Sequence, residues 1–139
     1  MDWRLCAEDD LRRYKQMKIG VLNSKDRLRL VSEALTSPKV NLGRKNRRTE
    51  TEVINAIVEK ERLTANINSA ERLIAIIERG LESLTEEERR LLEQFYMSNS
   101  PSKMRHLSEE FGYEPRTLYR KRDRALTNFT IAMYGLEVS

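Results

Sequence analysis

Residues 104–126 read MRHLSEEFGYEPRTLYRKRDRAL, and this stretch decides the fold. It opens as an amphipathic helix, breaks at Gly112 and restarts behind Pro115. The restart carries Arg116, Arg120, Lys121, Arg122 and Arg124 within nine residues. These are the residue types a helix-turn-helix requires. Leu107 and Phe111 brace the first helix, and Tyr113 and Leu118 brace the second. Ser108 is small where two crossing helices touch, and Gly112 tolerates the positive φ of a tight turn. Pro115 near the start of the second helix has a useful fixed φ, and its missing N–H costs little there. Lys121 departs from the pattern, because it falls one turn after Leu118 where another apolar residue is usual. Its methylene stem can cover the core while the ammonium reaches water. Ala125, Leu126 and Phe129 continue the apolar stripe, so the last helix is predicted to reach about Tyr134.

With Leu118, Leu126 and Phe129 turned inward, Arg116, Thr117, Arg120, Lys121 and Arg124 share the outer face. A helix lying in the DNA major groove needs such a face, since arginine reads guanine through two hydrogen bonds and lysine neutralises phosphate. Lys103 and Arg105 on the preceding helix complete the predicted DNA-contacting set. An ordinary solvated basic helix is the competing reading; the turn ahead of it favours DNA.

Towards the N-terminus, SNSPS (98–102) reads as a loop and SLTEEERRLLEQFYM (83–97) as a further helix. Thr85 and Glu88 have capping-box spacing, and Glu86, Glu87 and Glu88 complement the positive end of the helix dipole. Leu91, Leu92, Phe95 and Tyr96 supply its buried face. The acidic run therefore reads as helix-start chemistry and not as a metal site.

The first 81 residues read as two long helices. From Glu8 to Thr36, Tyr14, Met17, Val21, Leu28, Val31 and Leu35 recur at three–four spacing, with Ser24 interrupting. Gly20 weakens this helix by about 1 kcal/mol without ending it. TSPKVNLGRKNRRTE (36–50) then breaks the pattern, and its basic stretch 39–48 suits either a connector or a phosphate-contacting arm. From Thr51 to Leu81 the seam is Val53, Ala56, Lys60, Leu63, Ile67, Ala70, Ile74, Ile77 and Leu81, widened by Ile57 and Leu73; Gly80 reads as its terminator. Two such helices fold back most simply as an antiparallel hairpin. The same stripes could equally meet across a homo-oligomer, and the sequence does not choose.

Composition agrees. Of 139 residues, 39% are hydrophobic, 35% charged and 6% aromatic, with only five glycines and three prolines. That favours helices over a turn-rich β fold. The net charge of +4 is small, so its placement matters more. It collects in the basic stretches around residues 39–48 and 116–124, with an acidic block at 82–93 between them. Cys6 is alone, and no nucleophile motif, glycine-rich phosphate loop or metal-ligand cluster is present. His106, the single histidine, has no catalytic setting and suits a phosphate contact or a bystander role. Trp3 and Tyr14 suit core or edge packing of the hairpin. No catalytic residue, cofactor or metal is expected, so the chain does not read as an enzyme. No apolar run has signal-peptide or transmembrane length, so a cytoplasmic location without membrane contact is expected.

Residues 84–129, LTEEERRLLEQFYMSNSPSKMRHLSEEFGYEPRTLYRKRDRALTNF, resemble the fourth region of bacterial sigma factors, which reads promoter DNA. The shared order is an acidic-start helix, a scaffold helix and a second helix ending in a basic–Ala–Leu turn. The whole chain is similar to the ArpU/RinA-like regulators of Gram-positive phages and prophages, and TLYRKRDRAL (117–126) is the most specific local match. Over Glu8–Leu81 the similarity is one of architecture only. The resemblance implies control of phage late or packaging-gene transcription in the bacterial cytoplasm. Composition and spacing alone imply only DNA binding. The fold expected is thus all-α: a long antiparallel helical hairpin (1–81) for oligomerisation or partner binding, then a DNA-binding helix-turn-helix domain (82–139). The partners expected are double-stranded DNA and, through the long seams, RNA polymerase or a second copy of the chain. A small terminase subunit marking phage DNA for packaging is an alternative, although such proteins more often carry the DNA-binding module first. A helical adaptor for RNA polymerase is another.

Overall fold

A computed structural model describes residues 1–36 and 50–135. The described residues are helical with no strand. In chain order they form α1 (Trp3–Thr36), α2 (Glu50–Glu82), α3 (Glu86–Leu92), α4 (Lys103–Phe111) and α5 (Pro115–Tyr134). A π-helical turn, Glu93–Met97, extends α3. The basic stretch 39–48, with its reading as connector or phosphate arm, lies outside the described residues. None of the described helices is long and apolar enough to cross a membrane.

The chain divides into two compact units: Met1–Gln16 with Leu73–Ser139, and Met17–Arg72. This differs from the boundary expected between residues 81 and 82. Both ends of the long helix pair belong with the C-terminal helices, because they carry the apolar side chains that those helices bury.

In the unit Met17–Arg72, the two helix segments run antiparallel. Lys25 pairs with Glu71 at 3.5 Å, and Leu35, ten residues further along α1, lines a shallow groove with Ile57, Lys60, Glu61 and Thr64 of α2. Val21, Leu63 and Ile67 are buried, and Met17, Leu28, Val31, Leu35, Val53, Ala56 and Ala70 are half-buried. The seam therefore lies where the three–four spacing puts it, with two corrections, the first being that Ile57, expected to widen it, is exposed. Lys60 is exposed and Glu59 takes the half-buried position, its carboxylate held by the Arg62 guanidinium at 2.7 and 2.9 Å.

In the other unit, α1 residues Ala7 and Leu11 are fully buried, as are Ile77 of α2, Leu91 and Leu92 of α3, Leu107 of α4, and Leu118, Ala125, Leu126 and Phe129 of α5. Trp3 meets Tyr134 with ring centroids 4.8 Å apart, so its edge packing is against α5. Three tyrosine–carboxylate hydrogen bonds tie α1 in place: Tyr14 to Glu78 at 2.7 Å, Tyr96 to Glu8 at 3.0 Å and Tyr134 to Asp10 at 2.5 Å. Burial first, and then the adjacent carboxylate, pushes the Tyr14 hydroxyl up to about 12. Burial likewise pushes Tyr96 to about 12, with Arg122 opposing part of the rise, and Tyr134 is raised for the same reasons as Tyr14. A tyrosine raised in the folded state stabilises it fully below the unfolded value near pH ~10 and loses that contribution as pH climbs through the folded value. The melting temperature is therefore expected to fall steeply between about pH 10 and pH 12. Thermal melts of a triple Tyr14, Tyr96, Tyr134→Phe variant are expected to show a shallower fall over the same window.

Gly80, read as a helix terminator, instead lies inside α2, which runs on to Glu82. A Cβ there would stand 3.0 Å from Phe129 Cε1 and 3.3 Å from Met133 Sδ. Its role is close approach of α5 to α2. Gly20 has nothing within 4 Å of the same added atom. Gly20→Ala is therefore expected to stabilise by about 1 kcal/mol, whereas Gly80→Val is expected to destabilise by about 1–3 kcal/mol through overpacking. Urea melts of the two variants check the opposite signs.

Candidate nucleic-acid interface

The helix–turn–helix arrangement is built as its residue types dictate. The Gly112 backbone sits at φ 72°, its N–H bonded to the Ser108 carbonyl at 2.8 Å. That left-handed residue caps α4 and turns the chain toward α5. Pro115 occupies the first turn of α5. Leu91, Leu107 and Leu118 form one buried cluster beneath the turn, with Phe95, Met104, Phe111 and Tyr113 packed on it. Thr85 and Glu88 form the expected capping box at 3.1 Å in both directions. Arg90 grips both oxygens of Glu110 at 3.1 and 3.2 Å, clamping α3 to α4.

Arg116, Thr117, Arg120, Lys121 and Arg124 fall within about 140° of the α5 circumference at 3.6 residues per turn. Leu118, Ala125 and Phe129, all fully buried, occupy the opposite side. Arg116, Arg120 and Arg124 are exposed, while Thr117 and Lys121 are half-buried. Among the described residues, no hydrogen bond or ion pair occupies Arg116 or Arg120. The Lys121 ammonium stands 4.7 Å over the Tyr113 ring and 3.9 Å from Glu87 Oε2, so its stem does lie against the cluster.

The two predicted contacts on α4 separate. Arg105 is exposed. Lys103 is half-buried, its ammonium donating to the Phe95 carbonyl at 3.4 Å and lying 5.4 Å from that ring. Arg122, in the middle of the basic run, is structural. Its guanidinium sits 5.1 Å from the Phe95 ring and 5.3 Å from Tyr119, and it donates to Asp123 at 2.8 and 3.1 Å. Arg4 of α1 also reaches Asp123, at 3.4 Å to its carbonyl and 3.8 Å to its carboxylate. Two arginines thus offset the one acidic residue of the basic run. Arg4 could not be placed there from sequence, since no local signal links residues so far apart. His106 is exposed on α4, and no group of metal-ligating side chains occurs among the described residues. Comparison with protein-family models, curated proteins and solved structures returned no match.

Proposed function

We propose that the chain is a sequence-specific DNA-binding transcriptional regulator acting through α4, the Gly112 turn and α5. The observation that carries this reading is the exposed face of Arg116, Thr117, Arg120, Lys121 and Arg124, directly behind a left-handed glycine turn and opposite the core stripe. A helix of α5's diameter, about 10–12 Å, matches a major groove about 12 Å wide. Arg116 and Arg120 are one turn apart, without a hydrogen-bond or ion-pair partner among the described residues, and near the end that enters the groove in such motifs. Arg124 and Arg105 extend the surface toward phosphates. Control of phage or prophage late genes is the role implied by the sigma-region-four and ArpU/RinA-like resemblance.

The test is a footprint on phage late-promoter DNA combined with a reporter gene downstream of the same promoter. Protection with a changed reporter output supports direct regulation. Protection without a change points to a packaging role, and a change without protection points to an RNA polymerase adaptor.

A further inference from the structure

The basic face of α5 is not equally open on both flanks. A groove of about 630 Å³ separates it from the start of α3, with Glu87 and Glu88 on one wall and Arg120, Lys121 and Arg124 on the other. Glu87 Oε2 lies 3.9 Å from the Lys121 ammonium. Glu88 is fully committed: Thr85 donates its backbone N–H, and Asn128 Nδ2 donates at 2.6 Å. Burial raises the Glu88 carboxyl, but the hydrogen bonds from Asn128 and Thr85, with the Arg124 charge, outweigh that and leave it below its ordinary value. Two fixed negative charges therefore stand beside the cations that phosphate would meet.

We infer that Glu87 holds down DNA affinity by competing with phosphate for Lys121. This rests on the DNA-binding reading above. Non-specific association draws on phosphate neutralisation alone. A phosphate at Lys121 shares the ammonium with Glu87 and comes within a Debye length of both carboxylates, where screening is incomplete. A cognate site meets the same repulsion but adds base contacts from Arg116 and Arg120. The carboxylate therefore lowers affinity for cognate and scrambled DNA by a similar factor and sets how tightly the chain holds any duplex.

The experiment uses the full chain, a duplex selected from a randomised library with the wild-type protein, and a scrambled duplex of the same composition. Glu87→Gln is expected to tighten binding to both duplexes by a similar factor of about three- to tenfold, with a steeper salt dependence. Glu86→Gln is the control. It adds the same net charge on the same turn, but Glu86 is exposed and outside the groove, so its effect is expected to be smaller. In a Lys121→Gln background the gain from Glu87→Gln is expected to shrink to that of the control. Neither substitution touches the Thr85–Glu88 capping box, and thermal melts confirm folding. Equal gains for both variants, or none for Glu87→Gln, would overturn the inference while leaving DNA binding intact. Wild-type protein that enriches no duplex at low salt would instead overturn the DNA-binding reading itself.

Discussion

Cutting the chain back to residues 84–139 is expected to abolish its cooperative unfolding transition and, with it, the DNA binding proposed for the chain. The helix-turn-helix lies wholly within that piece, and by sequence it looks self-sufficient. Its core is not. Leu11 and Ile77, both fully enclosed, come from outside it, as do buried Ala7 and Leu81. Each large apolar side chain withdrawn from such a core costs about 2–5 kcal/mol, against a total of about 5–15 kcal/mol for a typical domain. Phe129 would lose its cover at Gly80, and Tyr96 and Tyr134 would lose the carboxylates they bond. In the intact chain, Leu11→Ala alone is expected to cost about 2–5 kcal/mol. Thermal melts by far-ultraviolet circular dichroism check both. A sharp melt from 84–139 would mean that the first turns of α1 are only appended to the unit.

The second large effect concerns DNA. On the proposed reading, Arg120→Ala is expected to lose about 1–3 kcal/mol on a cognate site and to relax base preference there. Arg124→Ala is expected to weaken all duplexes alike and to flatten the salt dependence by about one phosphate contact. Both side chains are exposed, so both variants are expected to melt like the wild type. Binding to selected and scrambled DNA across a salt series separates the two roles. Equal losses on both duplexes for Arg120→Ala would mean that α5 grips only the backbone.

Local signals were legible and distant ones were not. The turn glycine, the capping box, the α1 seam from Tyr14 to Leu35 and the end of α5 at Tyr134 could all be read from neighbouring residues, because each rests on interactions within a few turns. A helical seam, however, does not name its partner. Ala7 and Leu11 continue the α1 period, yet nothing local says that they pack with the C-terminal helices. Gly80 reads locally as a terminator, and only the position of Phe129 shows it to be a contact point. The basic run was legible as a run but not as separate roles. Arg122 lies against the Phe95 and Tyr119 rings, Lys103 is held at the Phe95 carbonyl, and Arg116 and Arg120 are exposed.

The hydrogen bond between Asp10 and Tyr134 joins groups 124 residues apart in the chain, which sets an order of events at the ribosome. Synthesis of that interval takes about 6–25 s at about 5–20 residues per second. Until it ends, the core around Leu11 is incomplete, because the α5 side chains of the same unit have not been made. The basic helix gains its support only after Tyr134 has emerged. A chain whose synthesis has not reached Tyr134 therefore cannot present the α5 face in its final form.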